Sequence, residues 1–159
     1  MKIVIDTREN LPLDFRKSKN MQGVEYRALK TGDYSIVGYE EEIAIERKGI
    51  SDLFGSLGKG HKKFKKEMER ALGFKYFAIL VEGSFTVIQN KEFEGAHYTK
   101  MRGDVVIKIL YTLKFKYGID VIFCNGRIEA SKIIRSIFTA YLKQQNGKPV
   151  RDTQVSKKE

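Results

Sequence analysis

The chain has 159 residues, which is enough for one domain with a substantial core. It contains 30 Lys and Arg and 20 Asp and Glu, and its net charge is therefore +10. Its single cysteine, Cys124, excludes an internal disulfide, and the lack of any run of about 18 apolar residues excludes a membrane-spanning helix. The positive charge favours a polyanionic partner, with nucleic acid the leading candidate. We therefore expect an intracellular protein that lies with the DNA, in a prokaryotic or host cytoplasm or in a nucleus, and not on a membrane.

The first third of the chain is typical of β-strands. Residues 2–6 predict a buried strand, and residues 24–29 predict a second one. Residues 34–37 and 42–47 alternate between apolar and polar side chains, and the four residues between them are short enough for a hairpin turn.

The register of this hairpin places two acids opposite each other. If the hairpin is symmetric about the 39/40 peptide, Tyr34 faces Ile45, and Asp33 faces Glu46 on the other side. Like charges in that position repel, and a divalent cation between them would remove the penalty. Lys48 projects from the same face as Glu46. Two acids and a lysine suit phosphodiester hydrolysis, although a surface hairpin with solvated charges is the alternative.

Helices and strands alternate in the rest of the chain. The order predicts an α/β fold, a mixed central β-sheet flanked by helices on both faces. We expect a nuclease domain at residues 1–143 and a polar, disordered tail at 144–159. The last helix has an apolar face broad enough to cover the sheet and a second subunit. The predicted elements are helices at 61–72, 84–90, 104–117 and 128–142 and strands at 75–81 and 119–124.

A cluster of cations follows the hairpin and is nearly free of acids. Such a one-sided run is a candidate for contacts with nucleic-acid phosphates, although a solvated helix face is the alternative. A second basic stretch lies in the loop before residue 104. The predicted DNA-binding residues here are Lys59, His61, Lys62, Lys63, Lys65, Lys66, Lys100 and Arg102.

Several short motifs together resemble one enzyme family. The chain contains Asp6-Thr7-Arg8-Glu9, Gly32-Asp33-Tyr34, Glu46-Arg47-Lys48 with Asp52 four residues later, and Gly55-Ser56-Leu57. These occur in the order of the XPF-type structure-specific endonucleases, whose signature is GD, a variable gap and ERKxxxD. The likeness extends from about residue 2 to 142 and implies a restriction-endonuclease-like fold.

The resemblance also implies roles for the catalytic residues. Asp33 and Glu46 correspond to metal-binding acids, Lys48 to the catalytic lysine, and Asp6 to an acid near enough to assist the metal. The implied cation is Mg²⁺, with Mn²⁺ as a substitute, because both prefer hard oxygen ligands.

The remaining motif residues have less defined roles. Arg47 is expected to position the scissile phosphate or to pair with an acid. Asp52 is expected to support Arg47 or Lys48. Arg8 and Glu9 resemble the pair that follows the first strand in the family, and Arg8 is a further candidate for DNA contact.

The resemblance predicts a divalent-metal-dependent DNA endonuclease that cuts branched, flap or junction DNA in repair, recombination or replication. The alternatives are a junction resolvase or nicking nuclease on the same fold, and a non-catalytic DNA-binding subunit of a nuclease complex. A homodimer is also expected. We expect the chain to depart from the family in being a stand-alone domain without a helix-hairpin-helix module. It also has Gly60-His61 and Lys65 where the family often has Gly-Arg and a downstream Gln.

Overall fold

A computed structural model describes residues 1–15 and 20–147 and builds them around a six-stranded sheet in the order β2-β1-β3-β4-β5-β6. The strands are β1 (Lys2–Asp6), β2 (Gly23–Arg27), β3 (Tyr34–Ile36), β4 (Ile43–Gly49), β5 (Tyr76–Glu82) and β6 (Asp120–Cys124). The helices are α1 (Ile50–Leu57), α2 (His61–Ala71), α3 (Phe85–Asn90), α4 (Gly103–Tyr117) and α5 (Arg127–Gln145), with a short 3₁₀ turn at Ala96–Tyr98.

Strand direction decides where the polar side chains meet. Strand β1 pairs parallel with β2 and antiparallel with β3, and β4 pairs antiparallel with β3 and parallel with β5, which is itself parallel to β6. Strand β3 is therefore antiparallel to the other five strands. The carboxyl ends of β1, β4 and β5 and the start of β3 consequently lie along one edge of the sheet.

Helices cover both faces of the sheet, so the predicted α/β fold is confirmed. Buried side chains of α1, α2 and α4 pack against Ala44, Ile79 and Val81 on one face. Buried side chains of α5 pack in the cluster that contains Ile45 and Leu80 on the other. The strand alternation of β4 and β5 thus places successive residues in two different cores.

The hairpin has the predicted register but not a surface position. Tyr34 pairs with Ile45, as symmetry about the 39/40 peptide requires. The alternative of a solvated surface hairpin is wrong, because β3 and β4 occupy the centre of the sheet and Tyr34, Ser35 and Ile36 are all buried.

The glycine before Asp33 is required by both conformation and space. Gly32 has φ +83°, and a Cβ atom there would lie 2.9 Å from the Cβ of Ala44. We expect Gly32→Ala to lower the free energy of unfolding by at least ~1–2 kcal/mol, the cost of a left-handed L-residue, with the clash added to it. Urea unfolding of Gly32→Ala and of the control Gly73→Ala, where nothing lies within 4 Å, measures this. Equal effects of the two substitutions would contradict it.

The last helix packs on its own sheet. Ile134 and Phe138 are buried, and Tyr141 Oη donates a hydrogen bond of 2.7 Å to Glu42. Helix α5 continues to Gln145, two residues into the predicted tail, and the tail from residue 148 lies outside the described residues. None of the helices described has both the length and the apolar character needed to span a bilayer.

Candidate active site

A cavity of about 780 Å³ opens at the sheet edge where β1, β3 and β4 meet, beneath α1 and α2. It brings together residues from five separate stretches of the chain. The charged motif residues that line it are Asp6, Arg8, Asp33, Glu46, Arg47, Lys48 and Asp52, and the other charged lining residues are Lys30, Lys63, Glu67 and Arg70.

Asp33 is fixed between two strands by its backbone and its side chain. Its carbonyl accepts a hydrogen bond from the Asp6 N–H at 2.8 Å, and its own N–H donates to the Ile45 carbonyl at 2.9 Å. Its Oδ2 accepts the Arg47 backbone N–H at 2.8 Å. Asp33 thus lies just before the start of β3, and its hydrogen bonds join it to Ile45 and Arg47, the residues on either side of Glu46. These hydrogen bonds replace the regular cross-strand pairing of Asp33 with Glu46 that the hairpin register predicts.

Glu46 and Lys48 share one face of β4 and form a buried ion pair. Glu46 is 7% exposed. Lys48 Nζ donates to Glu46 Oε1 at 2.7 Å and lies 5.9 Å from the centroid of the Phe64 ring on α2. The ammonium group therefore lies between Glu46 and α2, and the Lys48 side chain is only 12% exposed.

Burial and mutual repulsion shift the protonation of the two acids. Burial raises the pKa of Asp33 from 3.8 to about 7, against the hydrogen bond from the Arg47 N–H, which lowers it. Burial and the charge of Asp33 raise the pKa of Glu46 well above its ordinary value of 4.5. Neighbouring carboxylates that oppose each other's ionisation are the environment that a divalent cation relieves.

The acid pair has free carboxylate oxygens that are suitable ligands for a divalent cation. Within residues 1–15 and 20–147, no hydrogen-bond donor reaches Oδ1 of Asp33 or Oε2 of Glu46, so each acid keeps one oxygen for a ligand. Mg²⁺ commonly takes one or two carboxylates and completes its shell with waters and substrate phosphates. No group of three acid, histidine or cysteine side chains in the described part of the chain is placed to hold a metal alone.

The raised pKa of Asp33 predicts how the metal-free protein responds to pH. The folded state keeps a proton that the unfolded chain releases above pH ~4, so stability falls as the pH rises from about 4 to about 7. In chelator, Asp33→Asn should therefore become more stable than the wild type, by about 1–4 kcal/mol at pH 8 and by much less at pH 4. Urea unfolding at both pH values measures the difference. A difference that does not change with pH would contradict the assignment.

Asp6 lines the cavity, but its carboxylate is committed to other partners. Oδ1 accepts the N–H and Nε of Arg8 at 2.8 and 2.7 Å, and Oδ2 accepts Nη2 of Arg8 and the Leu29 N–H at 2.9 and 2.6 Å. Burial raises the pKa of Asp6, but these hydrogen bonds outweigh it and lower the pKa overall. Asp6 therefore holds Arg8 and the 27–29 segment in place, and its role as a metal ligand stays a prediction.

The Arg47 side chain points away from the acid pair, as strand alternation requires. Its Nε donates to Glu82 at 2.6 Å, and its Nη1 donates to Glu9 at 3.2 Å and to the Leu11 carbonyl at 2.8 Å. Of the two predicted roles for Arg47, the structure supports pairing with acids and does not support contact with the scissile phosphate. Only its backbone N–H touches the site, through Asp33.

Asp52 lies in the first turn of α1, exposed at the cavity wall. Among the contacts of the described residues, no hydrogen bond or ion pair joins it to Arg47 or Lys48, so its predicted support of these side chains is not found here. A carboxylate in the first turn of a helix instead interacts favourably with the helix dipole.

The predicted DNA-binding cations are all exposed, but only Arg8 and Lys63 line the cavity. Lys65 lies 3.8 Å from Glu69, and Arg102 forms two hydrogen bonds with Asp104. The His61 ring contacts the Gly58 carbonyl at 3.2 Å. The others, which are Lys59, Lys62, Lys66 and Lys100, lie on the surface outside the cavity.

Four charged residues of this site were not predicted from sequence. Glu67 and Arg70 line the cavity on the helix face that also carries the predicted Lys63, and that spacing in the 61–72 segment was a usable signal. Lys30 directly precedes the Thr31-Gly32-Asp33 stretch. Glu82 had no local signal, because its partner Arg47 is 35 residues away in sequence.

Known proteins share this fold. XPF from Aeropyrum pernix superposes with a TM-score of 0.71 at 20% identity, over 100% of this chain and 70% of that chain. XPF from Aeropyrum pernix in its complex with DNA superposes with a TM-score of 0.67 at 23% identity, over 90% and 66% of the two chains. No protein with a curated description matches the sequence.

The sequence itself matches a family model over most of its length. The model describes the ERCC4 domain, and the match covers residues 5–137, from the end of β1 into α5. Those residues include the acid pair, the buried lysine and both helices that wall the cavity. The match and the shared fold confirm the predicted resemblance, and the chain belongs to the ERCC4 domain family.

Proposed function

We propose that this protein is a divalent-metal-dependent DNA endonuclease whose catalytic centre is the cavity at the ends of β1 and β4. The observation that carries the proposal is the pair of buried acids, Asp33 and Glu46, beside the Lys48 ammonium group. Membership of the ERCC4 domain family and a fold shared with XPF support it.

Each side chain of the centre has a separate task in this proposal. Asp33 and Glu46 would hold the cation through their free oxygens, with Mg²⁺ the expected ion and Mn²⁺ its substitute. When bound, the cation supplies Lewis acidity, which polarises the phosphate and lowers the pKa of the attacking water. Lys48, held by Glu46, orients that water and offsets the negative charge that develops on the phosphate oxygens.

Exposed cations on both sides of the cavity support a DNA substrate. Arg8 and Lys30 lie at the mouth beside β1, and Lys63 and Arg70 lie on the wall formed by α2. Phosphates on each side of the scissile bond would contact these two groups. One of the two superposed XPF structures is a complex with DNA, and we propose the same class of ligand here.

Cleavage of labelled DNA in Mg²⁺ tests the proposal. We expect cleavage of flap, fork or four-way junction DNA in preference to plain duplex, and complete loss with chelator. A preference for four-way junctions would favour a resolvase, and nicking of plain duplex would favour a nicking nuclease. Salt-sensitive binding without cleavage in Mg²⁺ or Mn²⁺ would contradict the enzyme assignment and favour a DNA-binding subunit. Repair, recombination and replication are the processes that present such branched substrates.

Dimerisation remains part of the proposal. The sheet buries Ile134 and Phe138 of α5, whereas Ile133 and Ile137 on the same helix are half-buried. Exposed aromatic side chains on α4 also support dimerisation, since Phe115 is 90% exposed and Tyr111 is 61% exposed. Light scattering of the purified chain measures the oligomeric state.

A further inference from the structure

We propose that Glu67 on α2, and not Asp6, contributes the third carboxylate of the divalent-cation site. This inference rests on the proposed function and identifies a residue outside the GD and ERKxxxD motifs. Asp6, the third acid that the resemblance assigns to the metal, is already fully hydrogen-bonded.

Asp6 has no free oxygen to offer. Both of its oxygens accept two hydrogen bonds each, from the Arg8 side chain, the Arg8 N–H and the Leu29 N–H, and the residue is 1% exposed. Turning this carboxylate towards a cation would leave the buried Leu29 N–H without a partner, which is unfavourable. The hydrogen bonds therefore assign Asp6 to the support of the cavity wall.

The packing of α2 directs Glu67 into the cavity. Phe64, Met68 and Ala71 are buried against the sheet, which fixes the rotation of the helix about its axis. Lys63 and Glu67, four residues apart, then lie on the adjacent face and line the cavity. Glu67 is half-buried there.

Glu67 is also free to bind a ligand. Across the described ranges, 1–15 and 20–147, its carboxylate has neither a hydrogen bond nor an ion pair, whereas Glu69 on the outer face lies 3.8 Å from Lys65. Glu67 lines the same cavity as Asp33 and Glu46.

The expected contact is through a water of hydration. No three acids of the described residues are arranged to ligate one ion directly, and Mg²⁺ retains several of its waters when proteins bind it. An acid in this outer position accepts hydrogen bonds from those waters. Loss of such outer partners typically weakens metal affinity by about 10–100-fold.

Titration calorimetry with Mn²⁺ on the purified full chain, without DNA, tests the proposal. We expect Glu67→Gln to weaken Mn²⁺ binding about tenfold or more. The matched control Glu69→Gln, two residues away on the exposed face, should bind within about twofold of the wild type. Glu67→Asp, which keeps the charge, should bind more tightly than Glu67→Gln.

The control variant Asp33→Asn separates this inference from the proposed function. If Asp33→Asn loses Mn²⁺ binding while Glu67→Gln binds like the wild type, the inference is overturned and the proposed cation site stands. If Asp33→Asn also binds like the wild type, the proposed cation site is wrong, and the role of Glu67 falls with it. Equal affinities of Glu67→Asp and Glu67→Gln would likewise contradict a role based on charge.

Discussion

Replacing Glu46 by Gln is expected to reduce Mg²⁺-dependent DNA cleavage by at least about 100-fold, because it removes one charge of the acid pair that holds the cation. Gln keeps the shape of the side chain and can still accept a hydrogen bond from Lys48. The fold should therefore survive, and affinity for DNA in chelator should stay within a few-fold of the wild type. Single-turnover cleavage and a parallel binding titration measure the two quantities.

Glu41→Gln is the matched control for this experiment. Glu41 lies exposed in the turn of the same hairpin, so its substitution removes one negative charge without touching the cavity. Its cleavage rate should equal that of the wild type. Full activity of Glu46→Gln, or an equal loss in both variants, would show that Glu46 does not act in catalysis.

Replacing Arg47 by Met is expected to destabilise the protein by about 3–5 kcal/mol. The guanidinium is 12% exposed and binds two acids, Glu9 and Glu82, which are 11% and 18% exposed. Within the described residues, its removal takes the ion-pair partner from Glu82 and leaves Glu9 with only the hydrogen bonds from Tyr34 and the Leu11 N–H. The Leu11 carbonyl is left there with only its hydrogen bond from Arg127. Urea unfolding measures the loss.

Arg102→Met is the control, because Arg102 also pairs with an acid, Asp104, but is 76% exposed. Exposed pairs contribute at most about 1 kcal/mol. Cleavage per folded molecule should also fall less in Arg47→Met than in Glu46→Gln, since the Arg47 guanidinium binds Glu9 and Glu82 and not the acid pair. Equal stabilities of the two arginine variants would contradict a stabilising role for the network around Arg47. An equal loss of cleavage in Arg47→Met and Glu46→Gln would show that Arg47 acts in catalysis.

The sequence predicted the elements and the central pair because both depend on local patterns. Alternation in residues 34–47 predicts the hairpin, and its symmetry predicts that Tyr34 faces Ile45, as observed. The GD and ERK motifs then identify Asp33, Glu46 and Lys48, which the structure brings to one cavity. Strand periodicity alone also separates Arg47 from Glu46 and Lys48, because neighbouring residues of a strand face opposite sides.

The partners of these residues could not be predicted, because they come from distant parts of the chain. Asp6 is identified by its motif, but the hydrogen bond from the Leu29 N–H that helps to saturate it depends on how β1 and β2 pair. Glu82 is brought to Arg47 by the parallel pairing of β4 and β5. Glu67 enters the cavity because the packing of Met68 and its neighbours sets the rotation of α2.

A crystal soaked in Mn²⁺ and measured at the manganese absorption edge tests the central claim most directly. The account predicts an anomalous peak in contact with Asp33 and Glu46, with the Lys48 ammonium group beside them. Side chains that point apart, with no peak near either acid, would contradict it.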